Sequence, residues 1–333
     1  MITNTQTQFF SKNWLHSAKW DNAFLFGSLF ATFLFSFTYF ALSKFTTLEP
    51  FQIVLGLHFV FAAVFDLPHL LQTFIRTNVD EIEFQRRPHF YSNAHYLILV
   101  MALSIYYFDQ WDIFFILIRF YGYWHLLRQD WGFIKAYKAK NFEYDKLGEV
   151  FDSYFYYITR IGCIVLAEIY FTHVPLLNGF KVFLPFAIAK ISFFTFLTVS
   201  SLVYLGYQFW RLGQGIPINL PKVLYLFSVL FTNVLIFFFL PFPATIDFIL
   251  CTVYHDIQYH AWMYFYGVNS ALSNFKKYFS KTFVFSFLLA IPVVYFYNRM
   301  VFIFYLTLVC YHYYVDGKIW KFSRQPELRK LFN

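Results

Sequence analysis

Long runs of apolar residues, separated by short polar segments, fill almost the whole chain. A run of roughly 18 or more mainly apolar residues is the signature of a helix that crosses a bilayer. About ten can be marked, at 23–43, 51–75, 90–108, 111–128, 151–173, 182–210, 222–240, 243–266, 282–298 and 300–318. The pattern predicts an all-α polytopic integral membrane protein. Pro50, Pro221, Pro241, Pro243 and Pro292 fall at or near run ends, where a helix breaker belongs. Pro68 and Pro185 fall inside runs and are expected to kink them. No polar or Gly/Ser-rich linker and no internal repeat divides the chain. Residues 1–333 therefore read as a single transmembrane domain with short tails at 1–22 and 319–333.

Basic residues give this count an independent check, because cytoplasmic loops are rich in Lys and Arg and the opposite loops are poor. Alternate segments carry Lys12 and Lys19; Arg76, Arg86 and Arg87; Arg128, Lys135, Lys138, Lys140 and Lys146; Arg211 and Lys222; Lys276, Lys277 and Lys281; and Lys318, Lys321, Arg324, Arg329 and Lys330. The loops between them hold only Lys44, Lys181 and Arg299. Both termini are expected in the cytoplasm. The charged, aromatic stretches "RTNVDEIEFQRRPH" and "RQDWGFIKAYKAKNFEYDKLGEV" are expected to lie as interfacial helices.

Composition supports the same class. At 59% hydrophobic and 13% charged, the chain lies far outside the soluble range. The 51 Phe and 27 Tyr are what an AT-rich codon usage produces and require no pigment. Cys163, Cys251 and Cys310 sit in apolar runs without metal-type spacing, as packing residues do. The net charge of +8 forms no basic stripe, so membrane lipid, and no nucleic acid, is the expected partner. No removable signal is read at the N-terminus. The expected location is the bacterial inner membrane.

Orientation turns sequence position into depth. Asp66 and His69 fall in the inner half of the second run, and His95 lies about two turns inside the third. His125 falls near the inner end of the fourth run, His255, Asp256 and His260 in the inner half of the eighth, and His312 and Asp316 at the inner end of the tenth. Five helices thus bring histidine to one layer, where ionisable groups are costly and mark function. His58, His89 and His173 are left open. Asp66 and His69, Asp256 and His260, and His312 and Asp316 are three or four apart, so each pair shares a helix face. His255 and His260 are about 140° apart on an ideal helix. Either one points away or the helix contains a π turn.

Imidazoles and carboxylates without thiolates suit iron, zinc or copper, as one or two ions. The arrangement in "DLPH", "RPHFYSNAH", "WHLLRQ", "YHDIQYH" and "YHYYVD" resembles the intramembrane polyhistidine oxygenases: the fatty-acid desaturases and hydroxylases, and the bacteriorhodopsin-related carotene dioxygenases. The resemblance implies a non-haem iron centre that uses dioxygen on a hydrophobic substrate, with an electron-donor protein as partner. The leading expectation is a metal-dependent membrane oxidoreductase acting on a lipid-like small molecule. Its metal ligands would be His69, His95, His125, His255, His260 and His312, with Asp66, Asp256 and Asp316 as catalytic groups, ligands or supports of the imidazoles. Two alternatives stay open. One is a proton- or ion-coupled transporter using the same cluster as a relay, extended outward by Arg119, Glu168, Lys190 and His58. The other is a membrane protein with a bis-His haem.

Overall fold

A computed structural model describes residues 9–171, 185–239, 244–270, 272–295, 299–321, 325 and 328. His173, Lys181, Pro241, Pro243, Arg324, Arg329 and Lys330 lie outside the described residues, as do the run ends expected at 172–184, 240–243 and 296–298. The chain is helical apart from two-residue strands, β1 (Phe10–Ser11) and β2 (Ile218–Asn219), which pair in parallel.

Each predicted run falls in its own long helix. These are α1 (Ala18–Phe45), α2 (Pro50–Val79), α3 (Pro88–Tyr107), α4 (Trp111–Lys140), α5 (Lys146–Phe171), α6 (Phe186–Gly213), α7 (Leu220–Phe239), α8 (Ala244–Asn269), α9 (Phe275–Tyr295) and α10 (Arg299–Ile319). Among the described residues, six of them (α1, α2, α5, α6, α7 and α9) are long and apolar enough to cross a membrane. The other four include α4, α8 and α10, whose apolar character is diluted by His125, His255 and Asp256, and His312 and Asp316. Polar side chains that build a site weaken the signal by which a spanning helix is recognised.

Local chemistry explains where helices start and bend. Pro50 opens α2, where its missing N–H is not needed, and Glu49 and Gln52 close a capping box around it. Pro185 does not kink a helix, contrary to expectation: its extended backbone (ψ 138°) makes it the N-cap from which α6 begins. α2 contains two π turns, at Ala62–Asp66 and Ile75–Val79, that flank Leu67–Phe74, and Pro68 accounts for the first. Pro68 offers no N–H to the carbonyl four residues back and crowds it, and the wider π turn relieves that crowding. Of the stretches expected as interfacial helices, the first is the end of α2 followed by a short helix of its own, Glu81–Arg86, whereas the second is divided between the end of α4, which runs on to Lys140, and the start of α5 at Lys146.

Contacts gather in two compact units. The first holds residues up to Leu29 and from Gln129 to Asp247. Within it α5 packs on α6 and α7, around a buried ion network. Lys222, with no exposure, donates to Glu143 Oε2 at 2.7 Å and Asp152 Oδ2 at 2.9 Å. Lys138 Nζ reaches the same Asp152 oxygen at 2.7 Å, and Tyr204 donates to Oδ1 at 2.9 Å. Arg211 lies 3.3 Å from Glu143. Nearby, Asp130 is held by Arg160 at 3.0 Å and by the hydroxyls of Tyr225 and Tyr156. Cations and carboxylates alternate, as buried charge requires.

The second unit comprises Phe30–Arg128 and the residues from Phe248 onward. α10 packs along α3 and α2, and α9 packs along α2. Ala62, Ala63 and Ala290 let α2 and α9 approach closely, a use of small residues common between membrane helices. At one end of α2 the fully buried Arg76 pairs with Asp80 and Glu83, and its guanidinium lies over the rings of Tyr266 (4.6 Å) and Trp320 (5.6 Å). Glu83 also accepts from Tyr91 and, at 2.8 Å, from Gln325. One guanidinium therefore ties the ends of α2, α3, α8 and α10 together.

These networks make a mutational prediction. Lys222→Met leaves two buried carboxylates short of a partner and should destabilise the protein by about 3–5 kcal/mol. Lys135→Met removes a mostly exposed cation 3.4 Å from Glu149 and should cost under about 1 kcal/mol. Thermal unfolding midpoints in detergent compare the two; equal midpoints would refute a structural role for the Lys222 network.

Candidate metal centre

His69 of α2, His125 of α4, His255 of α8 and His312 of α10 converge in the second unit. All four are buried, and each offers a ring nitrogen such that these atoms lie within 4.8 Å of one another. His125 Nε2 and His312 Nε2 are 3.0 Å apart. The rings of His69 and His312 have centroids 4.2 Å apart, and His255 lies 5.0 Å from both His69 and His125.

What stands behind each ring decides which nitrogen faces the others. His69 Nδ1 lies 2.5 Å from Asp256 Oδ1, and His312 Nδ1 lies 2.6 Å from Thr73 Oγ1. His125 Nδ1 lies 4.0 Å from Asp316 Oδ2. A ring that donates its Nδ1–H outward keeps a lone pair on Nε2, the arrangement found behind metal-bound histidines. His69 Nε2 is buried with no hydrogen-bond partner, as is Asp256 Oδ2. A buried imidazole nitrogen left unpaired costs free energy unless something accepts its lone pair. Four buried imidazoles gathered this closely could hold a transition-metal ion. In a tetrahedral centre with bonds of about 2.0–2.1 Å, the ligand nitrogens stand roughly 3.4 Å apart. The His125–His312 pair is already that close, and the wider pairs need a shift of the order of an imidazole rotation.

The space between the rings has a volume of about 10 Å³, enough for about one water-sized particle. Its walls include Asp66, Asp256, Thr252 and Tyr313 besides the histidines. Asp66 Oδ2 accepts from Tyr305 Oη at 2.7 Å.

The other histidines expected at this layer stand outside the group. His260 occupies the opposite sides of its ring with α2: Nδ1 lies 2.9 Å from Gln72 Oε1 and Nε2 donates to the Phe65 carbonyl at 3.1 Å. With the Gln72 amide turned, its NH₂ donates to Nδ1 and the ring is neutral and fully used. The Phe65 carbonyl belongs to the π turn before Pro68, so His260 serves backbone that the turn exposes. Of the two possibilities for α8, the helix stays α-helical and His255, not His260, joins the cluster. His95 is partly exposed, with Nδ1 3.3 Å from the Tyr91 carbonyl of its own helix. His89 is exposed.

Carboxylate pairing also differs from what spacing along one helix suggests. Asp256 supports His69 rather than His260, Asp316 faces His125 rather than His312, and Asp66 bonds Tyr305 rather than His69. Each of these pairings crosses from one helix to another. Sequence reading missed Thr73, which follows His69 by one turn, and Tyr259, whose ring lies 4.2 Å from His69 and whose hydroxyl is 3.3 Å from Thr73. The polar pair in "LLQTF", Gln72 and Thr73, was the available signal.

No protein-family model matches the chain, and no curated protein and no solved structure matches it.

The cross-helix supports yield two expectations. Asp256→Asn and Thr73→Val should each weaken metal affinity by about 10–100-fold, read by competition with a chelator of known affinity. His260→Ala should leave metal stoichiometry unchanged while lowering the unfolding midpoint; loss of metal in that variant would place His260 in the centre after all.

Proposed function

We propose that the protein is a metal-dependent oxidoreductase of the bacterial inner membrane, with ten spanning helices and both termini in the cytoplasm. Its centre holds one ion, iron in the first instance and zinc or copper otherwise, between His69, His125, His255 and His312. The reading rests on one observation: four buried imidazoles from four helices meet around a space of about 10 Å³, with two of them backed by hydrogen bonds on the far nitrogen. Imidazole suits these metals, whereas Mg²⁺ and Ca²⁺ prefer oxygen. Four neutral rings leave the charge of a divalent ion uncompensated, and Asp256, Asp316 and Asp66 supply the balancing carboxylates nearby. A space of this size leaves no room for a haem between the rings and favours a bare ion.

A bound ion would supply redox or Lewis-acid chemistry shielded from bulk water. The chain's own groups supply the rest. Asp256 and Thr73 orient His69 and His312, while Tyr305 and Asp66 place a hydroxyl proton 2.7 Å from a carboxylate at the cavity wall. The surrounding apolar helices favour a lipid-like substrate, in line with the resemblance to intramembrane polyhistidine oxygenases. An electron-donor protein would dock from the cytoplasmic side.

One observation favours the relay reading instead. His125, His312, Thr73 and Tyr259 form a continuous row at 3.0, 2.6 and 3.3 Å, and such rows conduct protons. Metal analysis with an optical spectrum on the same purified sample separates the two. The oxidoreductase reading expects about one equivalent of metal, lost in His69→Ala and His312→Ala. Metal-free protein that takes up a solute in a pH-dependent way in vesicles would give the relay its place, and a Soret band would give it to haem.

Topology has its own test. Reporter fusions within 141–145 and after Lys277 should face the cytoplasm, and a fusion at Gln110 should face outward; any reversal in this series overturns the proposed ten-span orientation.

A further inference from the structure

The residues around the four-His cavity share one property with a single exception. Asp66, His69, Leu70, His125, Leu126, Thr252, His255, Asp256 and His312 are all buried, whereas Tyr313 is partly exposed. Tyr313 thus lines the cavity while part of the residue reaches the protein surface. On its inner side the ring stacks on His125, with centroids 4.7 Å apart and planes 25° apart. One turn earlier on the same helix α4, Tyr121 Oη donates to the Tyr313 carbonyl at 3.4 Å, and the two rings lie edge to face at 5.8 Å. Tyr121 is 40% exposed, and the surface around it is formed by Leu117, Phe120 and Trp124, all well exposed, with Arg119 among them. An exposed aromatic and aliphatic face on a spanning helix meets hydrocarbon rather than water.

Gly122 makes the arrangement possible. A methyl group at this position would lie 3.1 Å from the Tyr313 hydroxyl, close enough that the phenol would have to shift by a few tenths of an ångström from its seat against α4.

We infer that Tyr313 is a gate between the hydrocarbon outside α4 and α10 and the four-His cavity, so that the ligand of the centre arrives sideways as an apolar molecule. The cavity itself holds about one water-sized particle, so a substrate reaches the ion only when the ring swings away from His125. A single aromatic rotamer change accomplishes this, without movement of a helix. The inference rests on the four histidines holding a metal, and it adds the route and the polarity of what approaches.

The test uses the full chain in vesicles of phosphatidylethanolamine and phosphatidylglycerol, loaded with Zn²⁺. Stoichiometry comes first: wild-type protein that holds no zinc overturns the metal centre itself, independently of any gate. With zinc bound, its removal is timed with neutral, membrane-soluble 1,10-phenanthroline and with the sulfonated, membrane-impermeant bathophenanthroline. The neutral chelator should strip the wild type faster than the sulfonated one. Tyr313→Ala should speed the neutral chelator by about tenfold, a barrier lowered by about 1.4 kcal/mol, and leave the sulfonated one unchanged. Gly122→Ala, which displaces the ring without removing it, should act in the same direction, and Tyr313→Phe should keep the wild-type rates. Equal rates for the two chelators in the wild type, or a Tyr313→Ala and Gly122→Ala pair that retain zinc and release it at wild-type rates, would overturn the gate.

Discussion

The hydrogen bond between His69 and Asp256 is the contact on which the site depends. It joins α2 to α8 between two groups that are 2% exposed. In such surroundings neither partner has water to fall back on, so the geometry of one fixes the geometry of the other. Because the carboxylate occupies Nδ1, the other ring nitrogen of His69 is left facing His125, His255 and His312. A cluster of four imidazoles would otherwise satisfy itself by mutual hydrogen bonding. Here Asp256 and Thr73 occupy the far nitrogens of His69 and His312, while His125 and His312 lie in hydrogen-bond contact.

The same rule governs polar groups elsewhere in each unit. Where a cation is buried it finds carboxylates from other segments, as Lys222 does with Glu143 and Asp152 and as Arg76 does with Asp80 and Glu83. Tyrosine hydroxyls complete these shells at Asp152, Asp130, Glu83 and Asp80. The many tyrosines thus have a use that codon usage alone does not provide. Each contributes a large apolar ring and one donor, which lets a carboxylate be satisfied with no further charge. The ends of the helices are consequently held by directional bonds, while their lengths are held by close packing of small and apolar residues.

Much of this was legible along the chain. Hydrophobic runs located the described long helices because apolar length is a one-dimensional property. Order and charge grouped His69, His125, His255 and His312 with His95 and His260, and the first four do meet. Which histidines would actually meet was not legible. His95 lies beside its own helix backbone and His260 is turned to α2, because rotation about a helix axis is set by neighbours that a single sequence does not reveal. The carboxylate assignments went astray for the same reason. Spacing of three or four shows which residues share a face, whereas Asp256, Asp316 and Asp66 each found a partner on another helix. Pro185 was misread because a proline in an apolar run looks the same whether it bends a helix or begins one.

The two π turns of α2 have a geometric meaning of their own. A π turn contains one residue more than the α-helical ladder needs, so everything after it is rotated by about 100° relative to an uninterrupted helix. Helix α2 therefore changes phase at Ala62–Asp66, so that the segment Leu67–Phe74, which carries His69 and Thr73, is turned relative to the helix ahead of it. The second turn, at Ile75–Val79, closes the helix and holds Arg76, whose partners Asp80 and Glu83 follow it. A single continuous helix thus serves environments whose angular demands need not agree, with the surplus residue acting as a clutch between them.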